Sequence, residues 1–522
     1  MPGLIVNGVD AVFAASKCAE ANVYFIGPYG ARVSFASQQR RVLNLLWALH
    51  EKEMWPNKPV VEAVVVGGGI AGLMAAAALL ARGCTVRILE EKGHFLHLQE
   101  AAHHRFIHPT INFWPEQPLE WTTRLPFFDW YAGSCVNVVR TISREWDDEF
   151  DGELPRDDYS NTKVLKAKTA RDGRVTLKVE RRGVAETLTA DLVLFATGFG
   201  QERSFDDPKQ ISYWDEDSIT KAADLANKRY LVSGTGDGGV IDALRLTYRR
   251  FMDDEIALKF LVAIDNEGLR KQVAAIERKA AEEDDLNKRA LFYEKEYARV
   301  ALDRPRRAKD LLPAIPGGKL PVELVGQWDA PFDIGAAPIH KIILAHALAE
   351  KQIKFIPGEL TRRNKKQYVL TPKVGPAEIL DRDRIVVRHG AVPPVKHFIG
   401  ETAAQALFKN QSWIGDFMQI DGRDPTFFDN EALRLEDNPL AKSFARRRGR
   451  MAAEFLQARH GLGASMEEKA EDGSPIIRTY RPPNSSLPIN TVGIPESLFG
   501  IPIDPVIGDT EWTLPGTRKR RA

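Results

Sequence analysis

The sequence predicts an α/β protein of two or three domains, and three observations support this class. A chain of 522 residues is too long for one ordinary core. Two segments, 61–91 and 229–246, each run from an apolar strand through a glycine-rich turn into a helical pattern. Residues 163–200 alternate like a β-meander, with turn signals at RDG and RRG. Together these features predict parallel sheets flanked by helices, with a meander between them.

The first glycine turn has the arrangement of a dinucleotide-binding site. Val61 to Val66 form a β-branched run that suits a strand buried on both faces of a parallel sheet. A GxGxxG turn and an Ala- and Leu-rich helix follow, and the next strand ends in an acid about 20 residues later. Such an acid accepts hydrogen bonds from a ribose, while the helix N-terminus attracts a pyrophosphate. The predicted contacts are Gly67, Gly69, Ile70, Ala71, Gly72, Glu90 and Glu91.

Charge and cysteine content argue against several other classes. Lys and Arg total 72 and Asp and Glu total 71, so the net charge of +1 gives no reason to expect nucleic acid or a membrane as partner. The three cysteines form no CxxC, and no Cys/His cluster has metal-ligand spacing. We therefore expect no disulphide framework and no metal site. Together with an N-terminus that lacks a signal-peptide pattern, this predicts a cytoplasmic protein.

The order of motifs resembles the two-dinucleotide-domain flavoproteins, which include flavin monooxygenases and pyridine nucleotide–disulphide oxidoreductases. The extended first turn, the meander and the sequence Ala196-Thr197-Gly198, which looks like the ATG motif that closes such domains, carry the resemblance. It implies a Rossmann-like FAD-binding domain over residues 59–205, with Thr197 and Gly198 beside the cofactor. Residues 1–58 precede this domain as an extension with one strand and one helix.

The second glycine turn falls where these families begin an NAD(P)H domain, here predicted over residues 226–400. Gly234, Gly236 and Gly239 repeat the GxGxxG spacing after the strand RYLVSG. The second strand of this unit does not follow about 20 residues after the turn. Residues 253–310 are instead rich in helix formers and predict a helical insertion. The second strand is predicted only at LPVELVG, residues 320–326. Asp237 lies inside the turn, and its charge would oppose a pyrophosphate unless it points away.

The chemistry of this second turn stays open at the level of sequence. It binds NAD(P)H, or it is a degenerate or repurposed fold, or it contacts FAD a second time. Gln327 and Asp329 lie where a ribose-reading residue is expected, and neither separates NAD from NADP. A basic group could bind a 2′-phosphate, although a solvated loop is the favoured interpretation; it consists of Arg304, Arg306 and Arg307.

Residues 94–146 concentrate histidines and aromatic side chains between the first domain's second strand and its meander. In the resembled fold this segment runs beside the flavin, so Arg105 and His108 are candidate catalytic residues that stabilise negative charge on flavin or substrate. The aromatic residues form a wall over the flavin or an ordinary core. Cys135 has no nearby cysteine, which disfavours a dithiol mechanism. The flavin-monooxygenase element FxGxxxHxxx(Y/F) is absent between the two turns.

The combined expectation is an FAD-dependent oxidoreductase, with NAD(P)H-linked hydride transfer through flavin to a small molecule or oxygen. The alternatives are a flavin oxidase independent of NAD(P)H and a nucleotide-binding sensor or assembly component with little turnover. Residues 401–522 predict a helical part and an irregular proline-rich run that wraps another domain. They also hold two candidates for a late Gly-Asp contact to the flavin, at 415–416 and 508–509. The substrate is expected to be a small molecule, and a homo-oligomer is left open.

Overall fold

The structure is a computed structural model of the 522-residue chain. It describes residues 8–27, 33–56, 58–123, 125–150, 160–202, 212–215, 230–248, 251, 256–302, 310–312, 321–364, 367–381, 385–392, 394–408, 451–453, 455–457, 462–468, 475–480, 497–498, 501–504, 506–507 and 510–511. The basic group at 304–307 and the two Gly-Asp candidates lie outside these residues.

Helices and strands alternate over most of the described chain. The helices are α1 (Gly8–Ser16), α2 (Phe35–Glu51), α3 (Ile70–Ala81), α4 (Cys135–Glu149), α5 (Asp237–Thr247), α6 (Ile256–Ile264), α7 (Glu267–Ala281), α8 (Leu286–Leu302), α9 (Pro338–Ala349) and α10 (Val395–Ile399), with one 3-10 turn at Ile111–Phe113. The strands as far as the meander are β1 (Val23–Phe25), β2 (Glu62–Val66), β3 (Thr85–Leu89), β4 (Phe106–Ile107), β5 (Gly133–Ser134), β6 (Thr162–Thr169), β7 (Val175–Arg181), β8 (Val184–Ala190) and β9 (Leu192–Phe195). The later strands are β10 (Gln201–Glu202), β11 (Leu231–Ser233), β12 (Val322–Gly326), β13 (Ile353–Arg362), β14 (Gln367–Pro372), β15 (Glu378–Asp381), β16 (Ile385–Val387), β17 (Ala391–Val392), β18 (Gly463–Glu468), β19 (Pro475–Tyr480), β20 (Ser497–Leu498), β21 (Ile501–Asp504), β22 (Val506–Ile507) and β23 (Thr510–Glu511).

The first sheet has the strand order β1-β9-β2-β3, and all of its pairings are parallel. The crossover from β2 to β3 is α3, whose Ala, Leu and Met side chains are buried because the helix is covered on both sides. Helix α2 packs on α3 with a buried Val and Leu face. The N-terminal extension is therefore part of this layer, since β1 extends the sheet beyond β9. Ser34 caps α2, and its side chain forms a reciprocal capping box with Ser37.

The predicted meander is the antiparallel sheet β6-β7-β8, which ends in β9 of the first sheet. Its alternating residues cover the outer face of that sheet, where Val164, Val175 and Leu177 are buried. Helix α10 lies against the same layer, and Phe398 stacks on Phe195 with ring centroids 4.9 Å apart.

The second sheet has the order β15-β14-β13-β12-β11-β16. Strands β13, β12, β11 and β16 are parallel, whereas β14 and β15 form an antiparallel extension. Strand β12 is the predicted second strand, and the three helices α6, α7 and α8 separate it from α5 along the chain. The α/β class with two dinucleotide-binding-type sheets and a helical insertion is thus confirmed.

The helical insertion is anchored to α9 by a buried ion pair. Lys341 Nζ lies 2.9 and 3.1 Å from the two carboxylate oxygens of Glu277. The hydroxyls of Tyr293 and Tyr297 donate to the same carboxylate, at 3.1 and 2.5 Å. Lys341 also lies 3.9 Å from the ring centroid of Tyr293. Hydrogen bonds that satisfy both charges are what a buried ion pair requires to be tolerated.

The histidine- and aromatic-rich segment joins the two cores instead of forming one wall. We call residues 93–134 the connecting segment. Leu125 and Phe127 belong to the core around α3, whereas Ile111 and Trp114 belong to the core of the second sheet. Trp114 donates its indole N–H to Asp265 Oδ1 at 3.0 Å, just before α7. For these side chains the structure supports the reading as core.

The C-terminal region differs from the expected irregular run where it is described. Strands β18, β19, β21 and β20 form a four-stranded sheet, and β22 pairs with β23. Of the prolines in that run, the structure describes Pro502, which lies opposite Ser497 in the short pairing of β20 with β21.

Candidate functional site

The first glycine turn is closed by contact with the ATG sequence. Gly67 has φ +108°, and a Cβ on it would lie 2.5 Å from the carbonyl oxygen of Ala196. A Cβ on Gly72 would overlap the carbonyl of Gly67, so the helix can start only if this residue is glycine. Gly69 is the N-cap of α3, and a Cβ there would meet no atom within 4 Å. The turn therefore presents open backbone at Gly69.

Glu90 lies directly beside this turn. Its Oε2 accepts the N–H of Gly68 at 2.6 Å, and its Oε1 accepts the N–H of Lys92 at 2.7 Å. Thr197 has a buried hydroxyl oxygen without a hydrogen-bond partner, next to the carbonyl that contacts Gly67. An open helix N-terminus, a strand-end acid and an unpaired hydroxyl fit the pyrophosphate and ribose of a dinucleotide such as FAD.

The remaining predicted contacts of the first turn lie around it. Ile70 and Ala71 are buried in the first turn of α3. Glu91 is exposed, with its Oε1 3.8 Å from Lys163 Nζ. Gly198 follows Thr197 with φ +64°. Roles for these residues stay predictions.

The second glycine turn is built in the same way. Gly234 has φ +125°, and a Cβ on it would overlap the carbonyl oxygen of Arg388, just after β16. A Cβ on Gly239 would overlap the carbonyl of Gly234. Gly236 is the N-cap of α5, and a Cβ there would meet no atom within 4 Å. Each feature of the first turn is thereby repeated, with Arg388 in the place of Ala196.

Asp237 points away from the open side of the second turn. Its Oδ1 accepts the N–H of Ala337 at 2.9 Å and the Nδ1–H of His340 at 2.6 Å, both at the start of α9. A carboxylate near a helix N-terminus and hydrogen-bonded to a histidine is favourably placed. Its carboxylate is therefore hydrogen-bonded at the start of α9, which weakens the objection to an anion at Gly236.

The strand-end acid of the first site has no counterpart in the second. Val66 pairs with Leu89, and Glu90 follows. Ser233 pairs with Val325 in the same manner, so the residue equivalent to Glu90 is Gly326. A Cβ on Gly326 would lie 2.5 Å from Thr235 Cγ2. Asp329 lies three residues further along and forms an ion pair with Lys373.

Arg105 and His108 have buried partners in the connecting segment and the second domain. Arg105 Nη1 lies 2.8 Å from Asp242 Oδ1 on α5, and its Nε donates to the carbonyl of Tyr213 at 2.9 Å. His108 Nδ1 accepts the N–H groups of Thr110 and Ile111, both at 3.1 Å, which places its proton on Nε2. The predicted contact of these two side chains with flavin or substrate stays a prediction.

Sequence reasoning missed Asp242 and Arg388, which meet at the second turn. Arg388 Nε lies 2.7 Å from Asp242 Oδ2. The signal that could have found Arg388 is the sequence Arg388-His389-Gly390 after β16, which occupies the position of Ala196-Thr197-Gly198 after β9. Asp242 carries no such signal, because a lone acid on a helix ordinarily faces water.

The cysteines cannot supply redox thiols as they lie in the fold. Cys18, Cys84 and Cys135 are all buried and unpaired. Burial raises the pKa of Cys18 to about 12 and, against the opposing charge of Arg82, that of Cys84 to about 11. Burial likewise raises the pKa of Cys135 to about 12, against the opposing charge of Arg105. A thiol acts as a nucleophile only when ionised, so dithiol exchange within this chain has no support.

Two features are absent from the part of the chain that the structure describes. No group of three or more His, Cys, Asp or Glu side chains among its residues is arranged to hold a metal ion. Within the same residues, no helix combines the length and the apolar character that crossing a membrane requires.

The two turns, each closed by a strand carbonyl at the carboxyl edge of a parallel sheet, define a protein with two dinucleotide-binding-type domains. Residues 61–285 match the family described as pyridine nucleotide-disulphide oxidoreductase. This segment, fewer than half of the chain's 522 residues, is similar to that family. No curated protein matches the sequence.

Several solved structures are similar to this chain. Bacillithiol disulfide reductase from Staphylococcus aureus is 12% identical, with 65% of this chain and 79% of that chain covered and a TM-score of 0.37. A steroid monooxygenase bound to NADP is 14% identical, with 76% and 91% covered and a TM-score of 0.37. Thioredoxin reductase from Lactococcus lactis is 14% identical, with 63% and 77% covered and a TM-score of 0.33. At these TM-scores the backbones agree only in part, and the likenesses carry no weight for function.

Proposed function

We propose that the chain is an FAD-dependent oxidoreductase in which NAD(P)H delivers hydride at the second glycine turn and the flavin reduces a small molecule or oxygen. The observation that carries the proposal is the repeated construction of the two turns, with Gly69 and Gly236 both open. The turning away of Asp237 toward Ala337 and His340 supports a pyrophosphate at the second turn.

Each part of the site has a role in this proposal. The N-terminus of α3 binds the FAD pyrophosphate at Gly69, Glu90 receives the ribose hydroxyls, and the Thr197 hydroxyl gains the partner that it lacks. The N-terminus of α5 binds the nicotinamide dinucleotide at Gly236. FAD, when bound, accepts and releases the hydride, and the protein supplies position and electrostatics.

The acceptor of the electrons is a small molecule or oxygen rather than a dithiol of this chain. All three cysteines of the sequence are buried and unpaired, with raised pKa values. Unpaired cysteines also agree with the predicted cytoplasmic location. NAD and NADP are not separated by Gly326, which offers neither an acid to a ribose hydroxyl nor a cation to a phosphate.

The test is an anaerobic absorbance titration of the purified, FAD-loaded protein with NADH and then with NADPH. Loss of the flavin band with either donor is the expected result, and the better donor identifies the nucleotide. A protein that neither carries FAD nor can be reconstituted with it would overturn the proposal. If the flavin binds but stays oxidised with both donors, the remaining functions are a flavin oxidase independent of NAD(P)H and a nucleotide-binding sensor.

Two matched alanine variants separate the two turns. Gly69→Ala and Gly236→Ala each add a methyl group where φ is ordinary, −79° and −68°, and where no protein atom lies within 4 Å. Both variants should fold, but each methyl group occupies the space of the pyrophosphate. Such overpacking costs roughly 1–3 kcal/mol, so affinity should fall about ten- to hundredfold.

The two variants are expected to have opposite signatures in the same titration. Gly69→Ala should be purified with less FAD, whereas Gly236→Ala should keep its FAD and need more NAD(P)H for half-reduction. Equal loss of FAD in both variants would contradict the assignment of the second turn to a nicotinamide nucleotide. It would favour a second contact to FAD.

A further inference from the structure

A buried charge cluster centred on Asp242 joins three distant parts of the chain. Arg105 Nη1 and Arg245 Nη1 lie 2.8 and 2.9 Å from Asp242 Oδ1, and Arg388 Nε lies 2.7 Å from Oδ2. Each of the four side chains is less than a tenth exposed. We call these four residues the Asp242 cluster. One carboxylate thus contacts an arginine of the connecting segment, an arginine of its own helix and an arginine that follows β16.

The cluster touches the second glycine turn through Arg388 and Tyr213. The carbonyl of Arg388 closes the turn at Gly234, and a Cβ on Gly238 would lie 3.9 Å from Arg388 Cδ. The same Cβ would lie 3.4 Å from Tyr213 Cδ2. The turn is therefore in contact with the backbone of Arg388 at Gly234, and Asp242 holds the side chain of the same residue.

The cluster also reaches the first domain's side of the molecule through Arg105. The Arg105 guanidinium lies 3.6 Å from the ring centroid of Tyr213. The backbone carbonyl of Arg105 accepts the N–H of Cys135 at the start of α4. Phe106, the next residue, pairs with Ser134. Arg105 is thereby fixed at both its backbone and its side chain. It ties the connecting segment to the helix that begins at the second turn.

Electrostatics hold the cluster together over the whole physiological pH range. Burial acts to raise the pKa of Asp242, but the charges of Arg105, Arg388 and Arg245 outweigh it and hold the pKa well below its usual range. The carboxylate therefore stays ionised. Removing its charge would leave buried guanidinium groups without their shared partner, which is strongly unfavourable.

We propose that Asp242 and Arg105 are positioning residues of the second dinucleotide site, which fix its glycine turn relative to the connecting segment. The inference rests on the proposed function of that turn. Neither residue needs to touch flavin or substrate in this role, since Asp242 acts through Arg388 and Arg105 acts through Asp242 and Tyr213. A hydride can pass only between rings held in one relative position, so a small displacement of the turn lowers the rate.

The test compares Asp242→Asn with Glu277→Gln, a matched control. Glu277 is a buried acid of the same domain, and it accepts hydrogen bonds from Tyr293 and Tyr297 in the helical insertion and from Lys341 on α9. Both variants are measured for melting temperature, bound FAD, NAD(P)H concentration at half-saturation of flavin reduction, and limiting reduction rate. Both should melt at a lower temperature and keep FAD. Only Asp242→Asn should raise the half-saturating concentration or lower the limiting rate, by roughly ten- to hundredfold.

A second variant, Arg105→Met, keeps the test informative if Asp242→Asn fails to fold. Asp242 then retains Arg245 and Arg388, so its carboxylate is still paired with two guanidinium groups. A positioning role predicts a raised half-saturating concentration with an unchanged flavin spectrum and reduction potential. A shifted potential with unchanged half-saturation would show direct contact with the flavin and overturn the inference.

Two other outcomes would also overturn it. Asp242→Asn could lose stability as Glu277→Gln does while both kinetic constants stay at the wild-type values. Wild-type protein that binds neither NADH nor NADPH in a direct fluorescence titration would overturn the proposed function, and the inference with it. The two failures can be told apart. A missing nucleotide site is already visible in the wild-type titration, whereas a missing positioning role is visible only in the kinetics of Asp242→Asn.

Discussion

Glycines in the two turns fall into two groups that respond differently to an added methyl group. Gly67, Gly72, Gly234 and Gly239 face backbone carbonyls at contact distance, so alanine at these positions forces the backbone apart. Gly69 and Gly236 face open space. A loss of cofactor on substituting the first group would report on folding, whereas a loss at Gly69 or Gly236 reports on binding.

The cysteines offer a direct check on how tightly the domains are packed. Burial raises the pKa of the Cys18 and Cys135 thiols to about 12 and that of Cys84 to about 11. In the unfolded chain, a cysteine thiol has a pKa of about 8.5. At pH 8 the native protein should therefore react with a thiol reagent such as DTNB far more slowly than the unfolded chain, which should release three equivalents.

The pH dependence of stability and of thiol labelling follows from the same raised pKa values. Because the folded pKa lies above the unfolded one, these thiols favour the folded state below about pH 8.5 and cost stability as pH rises above it. Raising the pH from 8 to 9 should accelerate labelling of the unfolded chain but leave native labelling almost unchanged. Fast native labelling at pH 8 would contradict the buried positions.

What sequence could predict at this scale depends on whether the residue's partner is local. Glu90 was found because it ends a strand at a fixed distance from the glycines, and its contact with Gly68 follows from the sheet geometry. Arg105 was selected as a functional candidate, but its partner Asp242 lies 137 positions away along the chain. No pattern in one sequence reports such a pairing.

Among the elements, the helical insertion was predicted from composition alone, and its attachment was not. The helix formers of residues 253–310 indicate helices, and α6, α7 and α8 are there. The buried pair of Glu277 with Lys341 on α9 depends on how those helices pack. The connecting segment shows the same limit, since its aromatic content cannot tell a flavin wall from a bridge between two cores.

The ion pair of the insertion gives a prediction at the level of the element. Lys341→Met leaves the buried Glu277 carboxylate without its cation, so the free energy of unfolding should fall by about 3–5 kcal/mol. Replacing both residues in Lys341→Met/Glu277→Leu should recover part of the loss, because no unpaired charge remains. Denaturant unfolding followed by circular dichroism measures both variants.

The control for this pair is Lys271→Met. Lys271 forms an exposed i,i+4 pair with Glu267 on α7, and such pairs contribute little. A loss in Lys341→Met no larger than in Lys271→Met would show that the buried pair does not anchor the insertion to α9.

At the scale of the molecule, β1 completes the first sheet instead of belonging to a separate extension. Val23, Tyr24 and Phe25 of β1 are fully buried, and Ile26 donates its N–H to the carbonyl of Phe195. The sequence predicted this strand and the helix behind it. It could not predict that β1 pairs with β9, the strand that leads into Ala196-Thr197-Gly198.

A variant of this strand tests the connection to the cofactor. Phe25→Ala should lower stability by about 3–5 kcal/mol, because it opens a cavity beside β9. It should also lower the FAD content, since the same strand positions the carbonyl of Ala196 against Gly67. Melting temperature and flavin absorbance measure the two effects. A destabilised variant with full FAD content at low temperature would separate β1 from the cofactor site.

The order of strands in the second sheet has a consequence for the chain during its synthesis. Strand β11 pairs with β12 and β16, which are made much later because the helical insertion intervenes. At roughly 5–20 residues per second, several seconds to tens of seconds pass before both neighbours exist. Throughout that interval an apolar strand edge is available to other nascent chains, so yield should depend on chaperones that shield it more than on the stability of the finished domain.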